Sequence, residues 1–73
     1  MERLEALNGG AFEIAFMEMM TEHHRQAIRE SEKCVIRAKH GELEQLCQSM
    51  LGMQRSEVAK MKVWLCQWYQ KCS

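Results

Sequence analysis

Residues 34–47 read Cys34-Val35-Ile36-Arg37-Ala38-Lys39-His40-Gly41-Glu42-Leu43-Glu44-Gln45-Leu46-Cys47, and the fold turns on His40-Gly41-Glu42 in the middle of them. Gly41 is placed as a helix-terminating residue. Basic Arg37, Lys39 and His40 precede it, where they suit the negative end of a helix dipole. Apolar residues recur at helical spacing from Phe12 to about Lys39, and again from about Leu43 to Tyr69. Each run makes a helix about 40 Å long at the usual rise per residue. The turn between them is too short for anything but an antiparallel hairpin.

Working outward, Asn8-Gly9-Gly10 is a further break, and the segment from Met1 to Leu7 places Leu4 and Leu7 one helical turn apart, spaced to cover something. The expected organisation is one domain over 1–73, with an N-terminal segment at 1–10, helix one at 12–39 and helix two at 43–69. No tandem repeat or low-complexity tract interrupts it.

The chain has 73 residues, 47% of them hydrophobic and 27% charged, with no proline and four glycines, which describes a small folded unit. Its formal net charge of +0 lacks the excess that phosphate-backbone binding or a polybasic membrane anchor needs, so nucleic acid is not an expected partner. No apolar run is long enough for a membrane span, and Met1-Glu2-Arg3 opens no signal peptide, which implies a cytoplasmic protein or an excised fragment. A chain this small usually needs disulfides, a metal or a second copy of itself to be stable.

At 100° per residue, Phe16, Met20, Ala27, Ser31, Cys34 and Ala38 share a sector of helix one, with His23 and His24 to either side of its centre. On helix two the matching sector holds Leu43, Cys47, Met50, Gln54, Glu57, Met61, Leu65 and Trp68. A hairpin centred between His40 and Gly41 sets Cys34 opposite Cys47, Ala27 opposite Gln54, His24 opposite Glu57, Met20 opposite Met61 and Phe16 opposite Leu65. Cys34 and Cys47 then form either an intrahairpin bridge or a pair of packed thiols. Cys66 projects to the outer face and Cys72 lies in the tail, both either free or bridged to another chain. There is no CxxC pair, so the spacing fits neither a zinc ribbon nor a thioredoxin-like site.

Met17, Met19, Met20, His23 and His24 crowd two turns of helix one, with Gln54, Glu57 and Met61 facing them. Thioethers beside imidazoles favour Cu(I) or Ag(I), whereas hard ions want several carboxylates. A Met followed three or four residues later by a His puts both donors on one helical face. Glu57 is then a further ligand or a carboxylate that sets the tautomer of His24. The competing reading is a buried polar layer of His, Gln and Glu that fixes bundle register, with methionine as core filler. A di-iron site is disfavoured because no Glu-x-x-His occurs. Covalent haem lacks CxxCH, and no phosphate loop or nucleophile elbow is present, so no catalytic residue is assigned.

The run Phe16-Met17-Glu18-Met19-Met20-Thr21-Glu22-His23-His24-Arg25-Gln26-Ala27-Ile28, then Gln54-Arg55-Ser56-Glu57-Val58-Ala59-Lys60-Met61-Lys62-Val63-Trp64-Leu65 and Trp68, resembles the bacterial family known as domain of unknown function 305. That family's pattern is Met-Met-x-x-His-His-x-x-Ala-Ile followed by Gln-x-x-Glu-Ile-x-x-Met-x-x-Trp-Leu, and the resemblance covers about Gly10 to Tyr69. It implies a ferritin-like helical bundle, usually exported to the periplasm, with some members binding copper and linked to copper or silver tolerance. Carried over residue by residue, it points to Met19, Met20, His23, His24 and Met61 as metal donors, with Gln54 and Glu57 as the polar pair. Many relatives continue Ala-Ile-x-Met-Ala where this chain has Ala27-Ile28-Arg29-Glu30-Ser31, so one methionine of the pattern is missing. The four cysteines lie outside the signature.

The expectation is therefore an all-α antiparallel two-helix hairpin, completed as a ferritin-like four-helix bundle by dimerisation, because two helices cannot cover Phe16, Trp64, Leu65 and Trp68 on all sides. The expected function is non-enzymatic binding of copper or silver in metal handling. The alternatives are a structural or interaction module whose polar layer sets register, and a metal oxidase, which the shortage of inner carboxylates disfavours.

Overall fold

The computed structural model describes residues 7–72. Met1 to Glu5 and Ala6, including Leu4 of the expected covering segment, lie outside the described residues, as does Ser73. Within them the chain forms two helices, α1 (Gly9–Arg37) and α2 (Gly41–Tyr69), each of 29 residues. They pack as an antiparallel hairpin whose longest dimension is 44 Å, the length expected of one such helix at about 1.5 Å per residue.

Both ends of the turn differ from expectation. α1 stops at Arg37 and the chain leaves it through extended Ala38 (φ −66°, ψ 134°), whose amide donates to Cys34 O at 2.8 Å. An exit through extended backbone has no need of a left-handed residue, so Gly41 does not terminate α1; it is the first residue of α2, after the N-cap His40. Glu42 and Glu44 sit in the first turn of α2, at the positive end of its dipole. At the other end, the expected break at Asn8-Gly9-Gly10 is where α1 begins. Gly9 has φ +58°, a conformation that glycine takes without strain. Phe12 N–H donates to Asn8 O at 3.4 Å.

The register is the one the turn implies. Cys34 and Cys47 are joined in a disulfide with their Cα atoms 6.0 Å apart, and His24 bonds Glu57 midway along the hairpin. Near the open end, the Tyr69 hydroxyl donates to Glu13 Oε1 at 2.5 Å. The rotation of each helix about its axis is what differs. The residues of α1 turned most deeply inward are Met17, Thr21, His24 and Ser31; Ser31 belongs to the expected sector and His24 flanks its centre, whereas Met17 and Thr21 lie one step round from Phe16 and Met20. Phe16 is 40% exposed on its shoulder. On α2 the buried residues are Cys47, Met61 and Leu65, whereas Leu43, Met50 and Trp68 of the expected stripe are exposed. Choosing the sector by its largest apolar residues misplaces it, because the interface is narrow and takes small and polar side chains.

The core is thin. Met17, Met61 and Leu65 form its centre, with Ile14, Met20 and Tyr69 packed against them, and no described side chain is less than 2% exposed.

The tail also departs from expectation. Cys66 and Cys72 are neither free nor bridged to another chain but bonded to each other, leaving no free cysteine among the described residues. Gln70 adopts a left-handed conformation (φ 56°), and Gln70 N–H donates to Cys66 O and Lys71 N–H to Leu65 O, both at 3.0 Å. The chain thus folds back over the end of α2.

The hydrogen bond to Glu13, some desolvation and the repulsion of the same carboxylate together hold the Tyr69 phenol above its ordinary value of 10.0. Stability from the neutral, donating phenol is present below that ordinary value and is lost as pH rises through the higher folded one. Tyr69 is the chain's sole tyrosine, so an ultraviolet titration of tyrosinate follows it alone. It ionises above the free phenol in the native protein, and Glu13→Gln moves the midpoint back toward 10.

Candidate functional site

The phase of the two helices brings one group of side chains together on a single face. Phe16 and Met20 come from α1, and Lys60, Met61 and Trp64 from α2. Between them His24 and Glu57 complete a groove of about 310 Å³. Its spacing is helical: Phe16, Met20 and His24 follow one another at intervals of four on α1, and Glu57, Met61 and Trp64 at four and three on α2. The aromatic walls are reinforced from outside, since Phe12 stacks on Phe16 with centroids 5.7 Å apart and Trp68 stacks on Trp64 at 5.4 Å.

His24 is the most constrained group here, at 9% exposure. Its Nδ1–H donates to the Met20 carbonyl at 2.8 Å, one turn back along its own helix. Its Nε2 lies 2.5 Å from Glu57 Oε1 across the groove. Because a carbonyl can only accept, Nδ1 carries a hydrogen, and Nε2 then bonds the carboxyl group only if a second hydrogen lies between them. The pair is imidazolium with carboxylate, or neutral imidazole with carboxylic acid. Glu57 remains half exposed, so one end of this bond meets solvent.

The expected donors divide. Met20, His24 and Met61 line the groove together with Glu57. Met19 and His23 do not: His23 is exposed on the far shoulder of α1, with half-buried Met19 one turn before it. Gln54 is half-buried one turn nearer the hairpin turn, and its Oε1 is buried with no hydrogen-bond partner. Thr21 Oγ1 is likewise unpartnered. Lys60, Phe16 and Trp64 were not expected at the site; the i, i+4 spacing from Phe16 to Met20 and the i, i+3 spacing from Met61 to Trp64 were the available signals.

Among the described residues, no three His, Cys, Asp or Glu side chains gather as metal ligands. The soft donors facing the groove are the sulfurs of Met20 and Met61, beside the His24 imidazole and the Glu57 carboxyl group. The Lys60 ammonium opposes a cation there, and Glu57 offsets it.

Beside this geometry stand the comparisons with known proteins. The model of a family described as Domain of unknown function (DUF305) matches residues 1–71. No curated protein and no solved structure matches the chain.

Replacing His24 with Ala removes two hydrogen bonds and packed volume, and should cost about 1–3 kcal/mol in urea unfolding. His23→Ala should stay within about 0.5 kcal/mol, as befits an exposed helical position.

Proposed function

The chain belongs to the Domain of unknown function (DUF305) family, and we propose that it binds a soft monovalent metal ion, Cu(I) or Ag(I), in the groove between Met20, His24 and Met61. The observation that carries this reading is two thioethers and one imidazole lining the same small, largely apolar groove. In this role the protein sequesters or hands on metal and is not an enzyme. Met20 and Met61 supply sulfur. His24 Nε2 supplies nitrogen once the hydrogen it shares with Glu57 is displaced, while its Nδ1 bond to Met20 O keeps the ring aimed. Uptake therefore releases a proton and weakens as pH falls. Met19 and His23, one turn apart on the outer face, are a secondary pair that can capture metal from solution. Two disulfides in one short chain support an oxidising, exported location such as the periplasm.

A second copy of the hairpin completes the bundle in this proposal. The chain exposes 5687 Å², while a compact monomer of 8.6 kDa is expected to expose about 4,700 Å². The excess of about 1,000 Å² is close to the ~800 Å² per partner of a standard interface. Its natural location is the stripe Leu46, Met50, Met53, Trp64 and Trp68 of α2, all at least 38% exposed, which runs beside the buried seam and continues across the groove to Phe16. No described helix is long and apolar enough to cross a membrane.

The occupied ring nitrogens favour one other reading, a structural module in which His24 and Glu57 only fix register. A competition titration with a chromophoric Cu(I) chelator separates the two. Met20→Leu/Met61→Leu should keep the fold and lose affinity by at least about tenfold, a drop that removal even of a supporting group can produce. Equal affinity in wild type and variant contradicts metal binding in the groove. For the pairing, sedimentation equilibrium at micromolar concentration should give twice the chain mass of 8.6 kDa, and Trp64→Glu/Trp68→Glu should return it to the chain mass.

A further inference from the structure

The two disulfides occupy different environments. Cys47 is 3% exposed and Cys34 half-buried, and their bond joins α1 to α2 near the turn. Cys66 is half-buried and Cys72 exposed, and their bond spans only one helix end and its own tail. That second bond also borders an open groove of about 790 Å³, on the side away from Met20 and His24. Thr21, Arg25, Lys62 and Lys71 stand around it with Glu18 and Glu22, three cations against two carboxylates, so a small thiol has room to reach the bond without a wall of like charge. Opening the bond leaves the hairpin still tied by Cys34–Cys47.

The folded-back tail does not depend on that sulfur bond alone. Gln70 N–H and Lys71 N–H donate to the carbonyls of Cys66 and Leu65 at 3.0 Å, and Lys71 Nζ lies 3.7 Å from Glu18 of α1. These contacts keep the Cα atoms of Cys66 and Cys72, 4.3 Å apart, from separating freely once the sulfurs part. Two thiolates held at such a distance are a ready chelate for a soft ion, and Lys62 stands beside them.

We infer that Cys66 and Cys72 form a second soft-metal site, closed while they are disulfide-bonded and opened when a small-molecule thiol reduces them. In the opening step two thiol molecules give two electrons and two protons to the Cys66–Cys72 bond, yielding two protein thiols and the disulfide of the reductant. Cu(I) then binds both sulfurs and releases their two protons. The site is independent of the Met20/His24/Met61 groove.

The test uses the full chain, graded concentrations of a small thiol, and alkylation read by peptide mass spectrometry. Cys66 and Cys72 should be alkylated at reductant levels that leave Cys34 and Cys47 bonded. At that level Cu(I) alone, titrated against a chromophoric chelator, should fill one more site per chain than in the oxidised protein. The increment should persist in Met20→Leu/Met61→Leu and vanish in Cys66→Ser/Cys72→Ser with the helical circular dichroism unchanged. Simultaneous opening of both disulfides, or no extra Cu(I) after selective reduction, overturns the proposal. Loss of the increment in the methionine variant would also overturn it, by assigning the added ion to the groove.

Discussion

The Cys34–Cys47 disulfide locks the relative position of two 29-residue helices within about two turns of the hairpin bend, and the rest of the molecule inherits that register. With the helices so aligned, His24 falls level with Glu57 and Glu13 comes within reach of Tyr69. A slip by a single helical turn, about 5.4 Å, would separate every one of these pairs. The covalent tie matters because the apolar core is slight: three residues form its centre and none is wholly enclosed. Dispersion and burial alone, spread along so narrow a seam, discriminate poorly between registers. The polar and covalent cross-links add the discrimination.

That thin core also explains why the chemistry gathers at a shoulder of the seam. A hairpin has one buried line of contact and two flanks, unlike the enclosed centre of a four-helix bundle. His24 lies on the line, whereas Met20 and Trp64 lie on the flank, so the groove is built of side chains that are half in and half out of the protein. Apolar walls of Phe16 and Trp64 lower the local polarity, which suits a soft ion held by neutral sulfur. They also form part of the surface on which a second hairpin would close. In the proposed function, metal binding and self-association draw on the same face, and a partner seated there would shield the ion from water.

The all-α hairpin and its register were legible in the sequence because both follow from a turn only a few residues long between two uninterrupted periodic runs. That symmetry sets Cys34 opposite Cys47 and His24 opposite Glu57, while the bond between the two cysteines, which sequence alone leaves open against packed thiols, is settled by the structure. The rotation of each helix was less legible, because Thr21 is buried while Trp68 and Met50 are exposed, the reverse of what hydrophobicity alone suggests. For the same reason His23 and His24 looked equivalent, although one step of 100° puts one in solvent and the other in the seam. The role of Gly41 was misjudged because helix exit through extended Ala38 carries no residue signature. The Cys66–Cys72 bond was missed because it depends on left-handed Gln70 turning the tail back, and glutamine gives no hint of that conformation.

The central claim is that thioether sulfur and the His24 imidazole meet one soft ion in the groove. X-ray absorption at the copper edge of the Cu(I)-loaded, disulfide-intact protein tests it most directly, since it reads the atoms around the ion without reference to affinity. The account predicts a three-coordinate site with two sulfur neighbours and one imidazole nitrogen, losing its sulfur shell in Met20→Leu/Met61→Leu. A first shell made wholly of nitrogen and oxygen, or one unchanged by that double substitution, would contradict it.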